Sequence, residues 1–270
     1  MPLGLSDNLF QRIVSALLLL PPVLWATYEG GAWFAGLLAL GGALMTLEWC
    51  QLTARNSALE RIAALLVIVA LAGALEMRTI DISFTYVILG LLFLVLLGVG
   101  AVRGGVSFGW WIIGVAYVAL PISSLWFIRD ASGLLVLWVF LVTWATDVGG
   151  YFAGKGIGGP KLAPKISPKK TWAGLLGGMG LSVIVSVVMH QIVPFAAGLG
   201  MISLLSGLLA VWAQVGDLLE SAVKRHFDVK DSGGLIPGHG GLLDRVDGLV
   251  FVAPAVAGVL IVSSVIGFEF

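Results

Sequence analysis

Long apolar runs separated by short polar segments make up most of the chain between residues 12 and 267. Runs of about 18 to 25 apolar residues are long enough to cross the roughly 30 Å hydrocarbon core of a bilayer as α-helices. Most of the runs are apolar on every helical face, which is typical of membrane spans. The pattern predicts nine spans, at residues 12–28, 31–49, 60–77, 83–101, 107–128, 132–153, 172–192, 196–220 and 247–267.

The connections between the predicted helices are short except for two loops, at 154–171 and 221–246. We therefore predict an all-α, polytopic membrane protein with a single integral membrane domain over 1–270 and no separate soluble domain. Within that domain, 1–130 supplies the N-terminal helices, and 131–270 supplies the helices and loops that carry the candidate site. The composition agrees, because 59% of the residues are hydrophobic and only 11% are charged.

Lysine and arginine are distributed unevenly between the two sides of the predicted helix bundle. If the N-terminus is cytoplasmic, the opposite side holds only Arg78 and Arg129 of the 15 basic residues. Cytoplasmic loops of membrane proteins carry an excess of lysine and arginine. We therefore expect the N-terminus and both long loops to face the cytoplasm.

The second long loop and the helix ends beside it gather charges of both signs. Ten of the 30 charged residues lie between Asp217 and Asp247. Asp217, Ser221 and Lys224 are spaced i, i+4 and i+7, so they share one face of the helix that leads into the loop. Acids at the margin of a span, such as Asp217 and Asp147, usually face a partner or a cavity. We interpret a further acid, Glu48 at the end of the second span, as an interfacial residue.

Several carboxylates beside lysine and arginine, without a cysteine cluster, indicate a site for a hard cation. Mg²⁺ fits best, because it is commonly held by a few carboxylates together with substrate phosphates. The loop therefore predicts phosphoryl or nucleotidyl transfer at the cytoplasmic membrane surface, with no nucleic-acid partner.

An ion-coupled transporter is an alternative, in which Asp147 and Asp217 would bind the transported cation. A transporter predicts binding acids near the bilayer midplane and helices interrupted there. The acids of this chain instead cluster at the predicted cytoplasmic ends of spans, which favours an enzyme at the membrane surface.

The first long loop offers lysines, glycines and hydroxyl groups to a polyanion. Ser167, Lys169, Lys170 and Thr171 are its candidate substrate contacts, and we expect the loop to close over a nucleotide or a lipid headgroup. A simpler interpretation is that these lysines only set the topology and attract anionic lipids.

Four short motifs at fixed spacing follow one another through the second loop: SAVKR at 221–225, KDSG at 230–233, PGHGG at 237–241 and DRVD at 244–247. Together they resemble the signature of the phosphatidate cytidylyltransferases, the CDP-diacylglycerol synthases. Further segments that resemble this family are VGDLLES at 215–221, TDVGGYFAGK at 146–155 and KLAPKISPKKTWAG at 161–174. One departure is Ala173, because the family usually has Glu or Gln at that position.

The resemblance implies condensation of CTP with phosphatidic acid, giving CDP-diacylglycerol and pyrophosphate. It also implies a requirement for one or two Mg²⁺ ions, a homodimer with a cytoplasm-facing cavity, and a bacterial inner membrane. The family's metal-binding acids correspond to Asp217 and Asp244. A related enzyme that uses CTP on another lipid phosphate or on a polyprenol is the nearest alternative.

We assign the remaining candidate residues by chemistry. Further acids that could ligate or orient the metal are Asp147, Asp231 and Asp247. Cations that could hold phosphate oxygens are Lys224, Arg225, Lys230 and Arg245. Hydrogen-bond donors and close backbone contacts to the substrate would come from Ser221, His239, Gly240 and Gly241.

Overall fold

The structure is a computed structural model that describes residues 7–53, 106–193, 195–234 and 240–267. Over these residues the chain forms seven α-helices and one small antiparallel sheet. The helices are α1 (Asp7–Glu29), α2 (Gly31–Leu52), α3 (Val106–Ala131), α4 (Gly133–Gly156), α5 (Trp172–Met189), α6 (Leu199–His226) and α7 (Leu243–Val265). The strands are β1 (Lys161–Ala163) and β2 (Ser167–Thr171).

Six of the described helices, α2 to α7, contain segments long and apolar enough to cross a membrane. The prediction of an all-α, polytopic membrane protein is therefore confirmed. The first predicted span, 12–28, lies within α1. The third and fourth predicted spans, 60–77 and 83–101, lie outside the described residues, so the number of nine stays a prediction.

The first long loop has regular structure where an irregular connection was expected. Helix α4 continues to Gly156, and two positive φ angles, 70° at Gly158 and 92° at Gly159, turn the chain into β1. Glycine adopts positive φ without the steric cost that other residues pay. Strand β1 then pairs antiparallel with β2, with Lys161 opposite Thr171. The end of β2 leads directly into α5.

The chain divides into two compact units. The first contains Met1–Trp126 and Val229–Arg245, and the second contains Phe127–Asp228 and Val246–Phe270. The second long loop is therefore shared, because most of it belongs to the unit that holds the N-terminal helices.

Helices α4 and α5 of the second unit pack closely because glycines line both surfaces. A Cβ atom added at Gly178 would lie 2.7 Å from the Thr146 carbonyl oxygen, and one added at Gly174 would lie 2.9 Å from that of Gly150. Glycine pairs spaced four residues apart let helix backbones approach in membranes. Gly174 and Gly178 have this spacing, and both lie where α5 approaches the backbone of α4. The glycine interface consists of Gly149, Gly150, Gly154, Gly174, Gly177 and Gly178.

A buried polar network joins α4, α5 and α6 further along the same unit. The Trp138 indole donates a 2.8 Å hydrogen bond to Ser186 Oγ, which lies 2.5 Å from Ser206 Oγ. The Ser206 hydroxyl also reaches the Ile202 carbonyl at 2.7 Å. All three polar side chains are buried, so these partners satisfy groups that lipid could not.

Two helix ends that adjoin the long loops have defined backbone geometry. Thr171 is the N-cap of α5, and its hydroxyl accepts a 3.1 Å hydrogen bond from the Gly174 backbone amide. Such a cap satisfies one of the amides that a helix start leaves without an intrahelical partner. Helix α6 ends at His226, and Asp228 then takes a left-handed conformation with φ 55°. Aspartate tolerates this region better than most residues.

Candidate functional site

A cavity of about 490 Å³ lies in the second unit, where α4, α5 and α6 meet the hairpin. Charged and polar groups from all of these elements converge on it, which is the usual character of a ligand site. The lysines on its wall are Lys155, Lys161, Lys169 and Lys170. The other lining residues are Thr146, Asp147, Gly150, Tyr151, Gly154, Thr171, Gly174, Gln214 and Asp217. Four lysines against two acids make the cavity suitable for a polyanion.

Asp217 and Lys170 form an ion pair on the cavity wall. The Asp217 side chain is 28% exposed, so solutes in the cavity can reach it. Its Oδ1 atom accepts a 3.3 Å hydrogen bond from the Ser221 hydroxyl, one helical turn further along α6. Lys170 Nζ is buried and, apart from the ion pair, has no hydrogen-bond partner among the described residues. The ammonium group therefore keeps donor capacity that an anionic ligand could use.

A second ion pair, between Glu220 and Lys224, is buried inside α6. Lys224 Nζ lies 3.0 Å from Glu220 Oε1, and the two side chains are 9% and 1% exposed, respectively. Removal of one partner from a buried pair is costly, because the other charge remains desolvated. This contact gives Lys224 a structural role. Its expected contact with phosphate stays a prediction.

Three acids of the second unit lie close enough to Asp247 to repel its charge. Asp217, Glu220 and Asp147 all act on Asp247, whose Oδ1 accepts a 2.7 Å hydrogen bond from the Gly248 amide. Within the described ranges, no three His, Cys, Asp or Glu side chains are arranged to hold one metal ion. Mg²⁺ nevertheless fits this donor set, because it takes one or two carboxylates and completes its shell with water and phosphate oxygens.

Asp244 accepts hydrogen bonds from two separate parts of the glycine-rich loop in the first unit. Its Oδ2 atom accepts hydrogen bonds from the Ser232 amide at 3.0 Å, the Ser232 hydroxyl at 2.9 Å and the Gly241 amide at 3.1 Å. Gly240, beside it, has a φ of 86°, which favours glycine. Asp244 thus orders both ends of the loop, and its expected metal contact stays a prediction.

Glu48, at the end of α2, is a site residue that the sequence interpretation missed. Its side chain is buried, and its carboxylate accepts 2.8 Å hydrogen bonds from the backbone amides of Leu242 and Leu243. The interpretation of Glu48 as an interfacial residue was therefore wrong. An acid in an apolar span was the available signal, because such residues usually face a partner.

The remaining predicted residues divide between the cavity wall, the exposed surface and a part of the loop that lies outside the described residues. Lys169 and Thr171 line the cavity, whereas Ser167, at the start of β2, is not among its lining residues. Exposed residues of the second loop are Arg225, Lys230, Asp231 and Arg245. His239 lies outside the described residues.

The cavity residues that were not predicted include Thr146 and Gln214, because each stands inside an apolar helix. Gln214 precedes Asp217 by three residues, so both lie on one face of α6, and that spacing could have identified it. Ala173 lies in the first turn of α5, where an acidic side chain would favour the helix dipole. Thr171 already caps this helix, which gives one physical reason why alanine is tolerated there.

Comparison with known proteins identifies the family. The model of the cytidylyltransferase family matches residues 10–263. The chain belongs to the cytidylyltransferase family. It is 37% identical over 253 residues to the phosphatidate cytidylyltransferase of Brucella suis biovar 1 (strain 1330), with 92% of this chain and 91% of the relative covered. It is 44% identical over 143 residues to the phosphatidate cytidylyltransferase of Staphylococcus haemolyticus (strain JCSC1435), with 53% of this chain and 55% of the relative covered.

Membership of the cytidylyltransferase family extends beyond the C-terminal motifs. The match begins at residue 10, so it includes α2 with Glu48 as well as the helices around the cavity. Helices α4 and α6, which carry Asp147 and Asp217, are each continuous over their described lengths. The interrupted helices expected of an ion-coupled transporter are therefore not found in these two elements of the cytidylyltransferase.

Proposed function

We propose that this chain transfers the cytidylyl group of CTP to phosphatidic acid, giving CDP-diacylglycerol and pyrophosphate. The observation that carries the proposal is the lysine-lined cavity with the Asp217–Lys170 ion pair on its wall. Relatives that cover nine-tenths of the chain bear the name phosphatidate cytidylyltransferase, which supports this substrate pair over another lipid phosphate. The reaction class is nucleotidyl transfer.

The chemistry poses an electrostatic problem more than a proton-transfer problem. A phosphate monoester has a second pKa near 6, so most phosphatidic acid is a dianion at about pH 7 and can attack without a general base. Its partner, CTP, carries roughly four negative charges, so the reactants repel each other. Cationic groups that neutralise both anions and align the attack on the α-phosphorus are what the site must supply.

The lysines of the cavity supply fixed positive charge. Lys170 is held against Asp217, so its ammonium group is oriented before a phosphate arrives. Lys169, Lys155 and Lys161 add charge around the same space, and a triphosphate of about four charges would be matched by these four cations. The phosphate nucleophile forms a bond to the α-phosphorus as the bond to pyrophosphate breaks, and the lysines stabilise the leaving charge.

Asp217 would hold Mg²⁺ with Asp147 and Asp247 as further oxygen donors, and Asp244 is the other acid that the family resemblance assigns to Mg²⁺ binding. When bound, the ion would neutralise developing charge on the phosphate oxygens. Ser221 orients the Asp217 carboxylate through its hydrogen bond to Oδ1. Without a cation, the cavity acids repel anions. A cation bound to these carboxylates would offset the repulsion and allow phosphate oxygens to bind beside them.

The membrane helices would contribute to recognition of the lipid substrate. They keep the acyl chains of phosphatidic acid in the bilayer while its headgroup reaches the cavity. We propose that the cavity opens to the cytoplasm of a bacterial inner membrane and that the protein acts as a homodimer. The lysine distribution supports this orientation, since 13 of the 15 basic residues then lie on the cytoplasmic side.

The test is release of pyrophosphate by purified protein supplied with Mg²⁺, CTP and phosphatidic acid. We expect release only when all three are present, and none when ATP replaces CTP. Release with a polyprenyl phosphate but not with phosphatidic acid would contradict the proposed acceptor. Binding of CTP without release in any mixture would contradict the proposed reaction.

A further inference from the structure

Glu48 connects the second helix of the chain to a loop that lies almost 200 residues later. Its carboxylate receives the amides of Leu242 and Leu243, both at 2.8 Å, and it lies 3.3 Å from the Ser232 hydroxyl. The side chain is only 3% exposed. A buried carboxylate that lost these partners would be strongly destabilised, so the contact fixes the loop to α2.

The amides that Glu48 receives are those at the start of α7. The first amides of a helix have no intrahelical partner and carry partial positive charge, so an anion bonded to them is well stabilised. The anion here comes from a different helix, whereas a usual cap comes from the residue just before the helix. Glu48 therefore sets where α7 begins relative to α2.

Two glycines make room for this carboxylate. A Cβ atom added at Gly233 would lie 3.1 Å from Glu48 Oε1, and one added at Gly241 would meet the Ser232 hydroxyl and lie 2.7 Å from Glu48 Oε2. Gly234, in the same loop, has open space where its Cβ would be. The loop thus has glycine where Glu48 approaches its backbone, in addition to the glycine with positive φ at 240.

Glu48 and Asp244 bind the same part of the loop from two sides. The Ser232 hydroxyl has one proton, and the shorter contact, 2.9 Å to Asp244 Oδ2, receives it in preference to the 3.3 Å contact with Glu48. Asp244 is in the first turn of the helix whose start Glu48 holds. A displacement of Glu48 would therefore move the backbone that carries Asp244.

We propose that Glu48 is a positioning residue for the reaction: it holds the start of α7 so that Asp244 stands where its carboxylate acts. The proposal rests on the proposed function, in which Asp244 contributes to Mg²⁺ binding. Glu48 itself touches neither substrate nor metal. Its role is distinct from general stabilisation, because a helix start displaced by a fraction of an ångström changes the metal requirement without unfolding the bundle.

The first variant is Glu48→Gln, with Glu29→Gln as its control. Glutamine keeps the size of the side chain but presents an NH₂ group to one of the two amides, so a donor faces a donor. Glu29 is exposed at the end of α1 and undergoes the same chemical change. We expect Glu48→Gln to lower kcat by about 10- to 100-fold and to raise the Mg²⁺ concentration needed for half-maximal rate, as loss of supporting groups around metal ligands does.

A second pair of variants leaves the charge in place. Gly233→Ala would press its methyl group against the Glu48 side chain, which supplies its three nearest atoms at 3.1–3.2 Å, whereas Gly234→Ala adds the same methyl group in open space. We expect Gly233→Ala to raise the Mg²⁺ requirement in the same direction as Glu48→Gln, and we expect Gly234→Ala to resemble the wild type. If Glu48→Gln proves unstable in detergent, this pair of variants still tests whether the position of Glu48 affects the Mg²⁺ requirement.

Amide hydrogen exchange on the full-length protein gives a readout that does not depend on activity. We expect peptides that contain Leu242 and Leu243 to exchange faster in Glu48→Gln, while peptides from the middle of α7 keep their protection. Faster exchange with an unchanged kcat and Mg²⁺ requirement would overturn the proposal, since Glu48 would then serve stability alone. Unchanged exchange would overturn the contact itself. Wild-type protein that releases no pyrophosphate would instead contradict the proposed function, whatever the exchange shows.

Discussion

The Asp217 side chain is paired with Lys170 and is also partly exposed to the cavity. This combination is expected of a residue that must be oriented and still contact a ligand. Replacement by Asn would remove the charge that pairs with Lys170 and would hold Mg²⁺. We expect Asp217→Asn to lower kcat by about 100-fold or more, because a metal ion contributes several kcal/mol of charge stabilisation to such transfers.

The matched control for this variant is Asp228→Asn. Asp228 is exposed just beyond the end of the same helix, and asparagine tolerates its left-handed conformation equally well. Steady-state pyrophosphate release should remain near the wild-type rate in the control. A near-normal rate in Asp217→Asn would remove this residue from the proposed metal site.

Lys170 permits a separate test of the cavity as the anion site. We expect Lys170→Ala to raise KM for CTP or for phosphatidic acid by about 10-fold or more, because a charge-assisted hydrogen bond contributes about 1.5–3 kcal/mol. Lys165→Ala is the control, since Lys165 is exposed in the turn between the strands and does not line the cavity. Equal effects of the two variants on KM would mean that only the general positive charge of the hairpin matters.

The site residues that sequence predicted best are those whose chemistry is unusual for their surroundings. Asp217 and Asp147 are acids in apolar spans, and the structure brings both to one cavity. Glu48 satisfied the same criterion but was misinterpreted, because its partners are backbone amides of residues nearly 200 positions away. Backbone amides have no sequence signature, so neither composition nor spacing could reveal that contact.

At the scale of elements, the glycine interface determines how α4 and α5 meet. Gly178→Ala would place a methyl group 2.7 Å from the Thr146 carbonyl oxygen, whereas Gly180→Ala, on the same helix, meets no atom within 4 Å. We expect Gly178→Ala to lower the free energy of unfolding by about 1–3 kcal/mol, the usual cost of overpacking. Thermal unfolding in detergent checks this, and Gly180→Ala should melt no lower than the wild type.

The buried serine and tryptophan network makes a second prediction for packed helices. Ser206→Ala removes one hydroxyl that lies between Ser186 and the Ile202 carbonyl. We expect a loss of about 0.6–1.7 kcal/mol, the range for side-chain hydrogen bonds inside membranes. Ser264→Ala is the control, because Ser264 is exposed and donates to a carbonyl of its own helix. Indistinguishable melting temperatures for the two variants would show that the network adds nothing.

Elements were predicted more completely than their borders. Apolar length alone located α2 to α7, because a membrane demands long helices whose backbone bonds are satisfied internally. The β1–β2 hairpin was not predicted, since its strands span only three and five residues, with one proline directly after β1 and another within β2. Short strands form through tertiary context, which local sequence does not encode.

For the whole molecule, the charge distribution predicts the orientation in the membrane. In a Cys50→Ser background, we expect the Lys165→Cys variant to remain unlabelled by a membrane-impermeant maleimide in intact cells. The same variant should be labelled once the cells are permeabilised. A cysteine at Asp130, exposed near the end of α3, should react in intact cells. The reverse pattern would contradict the cytoplasmic placement of the cavity, and with it access of CTP to the site.

The glycine interface also has a genetic consequence. Every change of the second base in a glycine codon replaces glycine with a larger residue. Such a mutation at any of the six positions of the glycine interface therefore adds a side chain where the helices touch. A loss of packing of a few kcal/mol is tolerated at low temperature and fails on warming, because proteins are only marginally stable. A screen for temperature-sensitive growth should therefore recover alleles that concentrate at these glycines.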